Sequence, residues 1–84
     1  MTAPADLLPL LRDVAQRAQL EVRHESGGMP AGVCVLKGKV LAVVPHGTPP
    51  AEECAYLVEA LRRIDLSGVF VPPAVREALE RLPG

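Results

Sequence analysis

The stretch that decides the fold is Val33-Cys34-Val35-Leu36-Lys37-Gly38-Lys39-Val40-Leu41-Ala42-Val43-Val44. Two apolar strands meet there at a Gly-Lys tip, and successive side chains of a strand point to opposite faces. One face then carries Cys34, Leu36, Leu41 and Val43, and the other carries Val33, Val35, Ala42 and Val44. Neither face is polar, so the hairpin needs helices on both sides or a second protein chain on one of them.

The position of the turn sets which residues of the two strands pair. With Gly38-Lys39 as the turn, Leu36 faces Leu41, and we expect both side chains to lie under the second helix. A register slipped to a Lys37-Gly38 turn would pair Leu36 with Lys39 instead. The expected pairing makes Leu41 a core residue whose truncation to Ala costs about 2–5 kcal/mol.

The rest of the chain predicts helices and one further strand. Apolar residues recur at helical spacing over Leu7–Gln19, Pro49–Ile64 and Ala74–Leu82. Over Leu20–Glu25 they alternate with charged residues, which predicts an edge strand. An extended segment or a short extra strand is expected at Val69–Val71.

These elements predict a single domain over residues 1–84 of the α+β class. A small antiparallel sheet, formed by the first strand plus the hairpin, packs with three helices in the order α-β-β-β-α-(β)-α. The glycine-containing loop Ser26–Pro30 joins the first strand to the hairpin. A domain of 84 residues buries only about 60–65% of its unfolded surface, so a partner is a reasonable stabiliser.

Charge and composition exclude several classes of partner. The net charge is −1, and Tyr56 and Phe70 are the single tyrosine and phenylalanine, so the sequence predicts no nucleic-acid partner. No apolar run approaches the ~20 residues that cross a bilayer, and the N-terminus lacks the basic region of a secretory signal. We therefore expect no membrane association and a cytoplasmic location.

The residues able to do chemistry form no recognisable motif. His24, His46, Cys34 and Cys54 fall on four different elements without zinc-site spacing, and we assign no catalytic, cofactor-binding or metal-binding residue and no cofactor. Both cysteines are interpreted as reduced core thiols, with a disulfide or a reactive thiol as the alternative. Three carboxylates of the second helix are interpreted as a solvated face: Glu52, Glu53 and Glu59.

Over half of the chain resembles short bacterial proteins of unassigned function. In those proteins a Gly-x-Cys strand and hairpin precede a helix, as in the stretch that begins at Gly32, and a segment follows like Asp65-Leu66-Ser67-Gly68-Val69-Phe70-Val71-Pro72-Pro73-Ala74-Val75-Arg76-Glu77. The resemblance extends to about Leu79. It implies no activity, because those proteins have none assigned.

A second similarity is to the zincin-like metallopeptidase core, in which a hairpin is followed by a helix bearing HExxH. The comparable window here is Val58-Glu59-Ala60-Leu61-Arg62, where Glu59 matches the general-base position. Val58 and Arg62 stand where that family has its zinc-ligand histidines. The similarity therefore argues against peptidase activity.

Two functions follow from these observations as expectations. The apolar surplus of the hairpin favours a non-enzymatic protein-interaction or assembly module that binds a protein partner or associates with itself as a homodimer. The alternative is small-ligand binding or thiol-dependent activity around Cys34, His24 and His46. That alternative needs a pocket where these groups converge, and pairing of the first strand with the second could place His24 beside Cys34.

Overall fold

A computed structural model of the chain describes residues 2–26 and 30–81. Its helices and strands are α1 (Pro4–Arg17), β1 (Glu21–Glu25), β2 (Gly32–Leu36), β3 (Lys39–Pro45), α2 (Pro50–Leu61) and α3 (Pro73–Arg81). The α+β class and the predicted order of three helices and three strands are confirmed. The extra strand is absent, since Val69–Val71 is irregular. The predicted end of α3 at Leu82 and most of the predicted loop lie outside the described residues.

Each of the three helices begins at a proline. α1 begins at Pro4, three residues before the predicted start, and α2 begins at Pro50 behind Pro49. Neither start has a side-chain cap. A proline fits the first helical turn because its fixed φ suits the helix and its missing N–H has no intrahelical partner there. Asp6 lies within the first turn of α1, where a negative charge complements the helix dipole.

The three strands form a mixed sheet in the order β1-β3-β2. β2 pairs antiparallel with β3 as the hairpin requires, but β1 pairs with β3 in parallel, so the wholly antiparallel sheet expected from the sequence is corrected to a mixed one. β3 takes the centre because it is the most apolar strand, and its residues 41–44 are all buried. β1, with its charged residues, lies at an edge as predicted.

The hairpin turns at Lys37-Gly38, so the predicted turn at Gly38-Lys39 is wrong. Leu36 pairs with Lys39, which is the slipped register. Lys37 has φ 53° and Gly38 has φ 79°. A two-residue hairpin turn of type I′ needs positive φ at both positions, and glycine at the second position adopts it at little cost.

The change of register leaves the two faces of the hairpin as predicted, but the face that meets the helices is the opposite of the predicted one. The helical core packs on the face of Val22, Val33, Val40 and Ala42. Leu36 and Leu41 lie on the face away from this helical core, so their predicted place under α2 is wrong. Leu41 is nevertheless only 2% exposed, and its register partners are Glu21 of β1 and Cys34 of β2. Its predicted burial is therefore confirmed.

Candidate functional site

β2 is an edge strand with exposed apolar side chains. Val35 is 58% exposed and Leu36 is 48% exposed, one on each face of the strand. Cys34, which precedes them, is also exposed, which corrects its interpretation as a core thiol. Both faces of β3 are therefore buried, as the apolar hairpin requires, whereas β2 keeps exposed apolar side chains.

The outer side of β2 also presents unpaired backbone groups. In a hairpin with a two-residue turn, the flanking residues Leu36 and Lys39 form a hydrogen-bonded pair, and such pairs alternate with non-bonded ones along the ladder. Cys34 therefore bonds to β3, whereas Val33 and Val35 direct their N–H and C=O groups away from it. These groups are a template for an added strand.

The opposite edge of the sheet, β1, has a different character. Glu21, Arg23 and Glu25 alternate along it, and Arg23 donates from Nε to Oε2 of Glu21 at 2.7 Å. Charged side chains on an edge strand resist pairing with another chain because an added strand would have to cover them. Of the two edges, β2 is therefore the one suited to strand addition.

The structure does not bring Cys34, His24 and His46 together. Cys34 is on β2 and His24 is on β1, with β3 between them, and the register places the two side chains on opposite faces. His46 lies exposed in the turn after β3, as the sequence predicted for a solvated loop. The pairing of β1 with β2 that a Cys34–His24 pair requires is absent.

Cys54 is the buried thiol, as predicted. It packs in α2 with Sγ 3.5 Å from the carbonyl oxygen of Pro4. Burial raises the pKa of the Cys54 thiol, and the negative charge of Glu53 raises it further. A buried thiol with a raised pKa is a poor nucleophile at neutral pH.

Glu53 is the feature that the sequence did not predict. It is 3% exposed rather than solvated, and it is the one buried charged residue among those that the structure describes. Arg12 of α1 donates to both of its carboxylate oxygens, from Nε to Oε2 at 2.8 Å and from Nη2 to Oε1 at 2.9 Å. Nε2 of His24 lies 3.5 Å from Oε2. We call these three residues the Glu53 cluster.

The Glu53 cluster connects α1, α2 and β1. The hydrogen bonds from Arg12 lower the pKa of the Glu53 carboxyl, against the opposing effect of burial. The carboxylate therefore remains ionised near neutral pH, which suits a fixed ion pair better than a proton donor. A signal for its burial was present in the sequence, because Glu53 is four residues before Leu57 and seven before Ala60, at the spacing of a buried helical stripe.

A cleft of about 300 Å³ lies between the helices. Pro4, Leu7, Cys54 and Ala78 contribute to its largely apolar wall. Its two charged residues, Glu77 and Arg81, pair with each other at 3.0 Å. The cleft therefore offers volume without the few converging polar groups that orient a bound molecule.

Within residues 2–26 and 30–81 no group of three His, Cys, Asp or Glu side chains is placed to hold a metal ion. The same part of the chain has no helix with the length and apolar character needed to cross a bilayer. Comparisons of the chain with protein-family models, curated proteins and solved structures give no match. The resemblances to short bacterial proteins and to the zincin-like core remain predictions from the sequence, and the function is inferred from the geometry of this chain.

Proposed function

We propose that this protein is a non-enzymatic interaction module that binds a protein partner by strand addition at β2. The observation that carries the proposal is the exposed edge on which Val35 and Leu36 are about half exposed while the backbone groups of Val33 and Val35 point outward. Strand addition uses both features, since backbone hydrogen bonds hold the added strand and apolar side chains are covered by it.

The energy available at this edge sets the strength of binding. Complete burial of a Val or Leu side chain is worth about 1.5–3 kcal/mol, so covering the exposed halves of Val35 and Leu36 contributes roughly 2 kcal/mol together. Each added backbone hydrogen bond contributes about 0.5–1.5 kcal/mol net. Because association itself costs several kcal/mol, we expect a reversible complex of modest affinity.

The nature of the partner and its location follow from charge and from the cysteines. A net charge of −1 supports a protein partner rather than a nucleic acid. Cys34 and Cys54 are both free, which supports a reducing compartment such as the bacterial cytoplasm. An exposed thiol on an interaction surface remains reduced there without forming adventitious disulfides.

Photo-crosslinking tests the proposal in the cells that make the protein. A benzophenone amino acid is placed at Leu36 or, as a control on the other edge, at Arg23. The blocking variant is Val35→Pro, because proline removes an outward N–H and leaves the hydrogen-bonded pairs of the hairpin intact. We expect an adduct from position 36, about tenfold less of it with Val35→Pro, and little from position 23.

Circular dichroism and the unfolding temperature of Val35→Pro establish that the fold survives the substitution. With the fold intact, the strand-addition function is wrong if position 36 gives no adduct, or if Val35→Pro leaves the adduct unchanged. Equal yields from positions 36 and 23 would also contradict it, because collision alone would then explain the crosslinks.

A further inference from the structure

We infer that the strand added to β2 is β2 of a second copy of this chain, antiparallel, with Cys34 opposite Cys34 of that copy. The inference rests on the proposed function and names its partner. The backbone groups of Val33 and Val35 point outward on either side of Cys34. A two-fold axis at Cys34 therefore places Val33 of each copy opposite Val35 of the other, and both outward sets of groups are satisfied.

The side chains of β2 are complementary to themselves in this register. Gly32, which has no side chain, lies opposite Leu36 of the second copy, and the β-branched residues Val33 and Val35 form cross-strand pairs of the kind that stabilise sheets. The exposed part of Val35 is covered by Val33 of the second copy. All five residues of β2 take part, and the two sheets join into one of six strands, three from each copy.

Charge also favours this pairing over the equivalent pairing of β1. No residue of β2 is charged, and the nearest charges, on the two Lys37 residues, would lie at opposite ends of the joint, roughly 20 Å apart at about 3.3 Å per residue. That distance exceeds the Debye length of about 8 Å at physiological salt. Antiparallel self-pairing of β1 about Arg23 would instead place Glu21 opposite Glu25 twice, with like charges in contact.

The size of the joint predicts a weak dimer. A five-residue strand pair buries less than the ~1,200 Å² typical of stable complexes. We therefore expect a dissociation constant of roughly 10 µM to 1 mM, so that the copy number of the protein in the cell decides how much of it is paired. Sedimentation velocity over that concentration range measures the constant directly.

A charge swap at Cys34 tests the register. Cys34 is exposed in the monomer, so Cys34→Lys and Cys34→Glu are compatible with folding. In the proposed dimer residue 34 meets its own copy at a non-hydrogen-bonded pair with Cα atoms about 4.5 Å apart. Each variant alone should lose fivefold or more in association, about what like charges at such a pair impose, and an equimolar mixture should recover it as a heterodimer seen by native mass spectrometry.

Disulfide mapping provides the second measurement. In a Cys34→Ser background, Val33→Cys and Val35→Cys are oxidised with diamide, which takes up the two electrons and two protons released when two thiols form a disulfide. The mixed pair should crosslink faster than either variant alone, because position 33 faces position 35. Ala55→Cys in the same background, on the exposed side of α2, is the collision control.

The outcomes separate this inference from the function on which it rests. Recovery of association in the Lys and Glu mixture supports it. Equal association of each variant alone and of the mixture overturns it. A strict monomer up to about 1 mM, with Leu36 adducts to other proteins that Val35→Pro removes, overturns the second copy as partner and leaves strand addition standing. A strict monomer without adducts overturns both.

Discussion

Replacing Arg12 by Met removes the main partner of the buried Glu53 carboxylate. The guanidinium makes two charge-assisted hydrogen bonds to Glu53, whose side chain is only 5% exposed. Methionine keeps the aliphatic length and helix propensity of arginine. The substitution therefore leaves an ionised carboxylate in α2 with only the imidazole of His24 near it.

The expected loss of stability follows from the burial of the two partners. A hydrogen bond to a charged group contributes about 1.5–3 kcal/mol, and breaking a fully buried ion pair costs about 3–5 kcal/mol. Arg12 itself is 53% exposed, so water can reach the place it leaves and solvate part of the carboxylate. We therefore expect a loss of about 2–3 kcal/mol, which in a domain of this size lowers the unfolding temperature by roughly 10–20 °C.

Arg17→Met is the matched control. Arg17 is on the same helix and pairs with Asp13 at 2.7 Å, but both side chains are about half exposed. A pair of that kind contributes about 0.3–0.5 kcal/mol. Urea unfolding of the two variants compares a buried carboxylate with an exposed one under the same substitution. If Arg12→Met costs no more than Arg17→Met, the Glu53 cluster does not hold the helices together and our account of it is wrong.

The same pair of variants has a pH signature. Arg12 lowers the pKa of Glu53 in the folded state below its ordinary value of 4.5. A carboxylate with a lowered folded pKa stabilises the fold above its unfolded pKa and loses that contribution as pH falls through the folded value. The difference in stability between wild type and Arg12→Met should therefore be full at pH 7 and shrink below about pH 4.5. A difference independent of pH would mean that Arg12 acts through packing alone.

Three further results test the hairpin and the thiols. Leu41→Ala should cost about 2–5 kcal/mol in urea unfolding, and Leu36→Ala less than about 0.5 kcal/mol in the monomer; the reverse order would contradict the assigned burial. Lys37→Asn should raise the unfolding free energy by about 0.5–1 kcal/mol, because asparagine tolerates positive φ; a loss would contradict the turn. In the folded protein a thiol reagent should label Cys34 rapidly and Cys54 only on unfolding; equal rates would contradict the burial of Cys54.

Apolar patterning predicted the faces of the hairpin but could not fix its register. Shifting the turn by one position changes the partner of Leu36 from Leu41 to Lys39, yet each residue keeps its face, because the partner moves by two residues along β3. Hydrophobicity therefore does not distinguish between the two turn positions. Turn chemistry does not decide the register from the sequence either, since a type I′ turn accepts glycine at its second position, as in Lys37-Gly38, and a type II′ turn accepts it at its first, as in Gly38-Lys39.

The identity of the face that meets the helices could not be predicted either, because both faces of the hairpin are apolar. The charged residues of β1 indicate which face of the sheet lies away from the helices, but only once the pairing of β1 with its neighbour is known. Parallel pairing places Glu21 beside Leu41 and Arg23 beside Val43, on the face away from the helical core, and Val22 beside Ala42, in the core. The sequence gives no sign that β1 pairs with β3 in parallel, because that pairing follows from tertiary packing.

The two edges of the sheet differ in charge and in their contacts with the helices, and this difference connects the Glu53 cluster to the proposed function. β1 has charges along its length, and its His24 lies against Glu53, so that edge is tied to both α1 and α2 through the Glu53 cluster. β2 has no charge and no such tie, and Val35 and Leu36 are left exposed at its end. Both edge strands lie beside the same apolar β3, so the exposure of apolar side chains on β2 is not common to both edges of the sheet. It is a property of one edge, and strand addition there would cover the apolar surface and satisfy the outward backbone groups together.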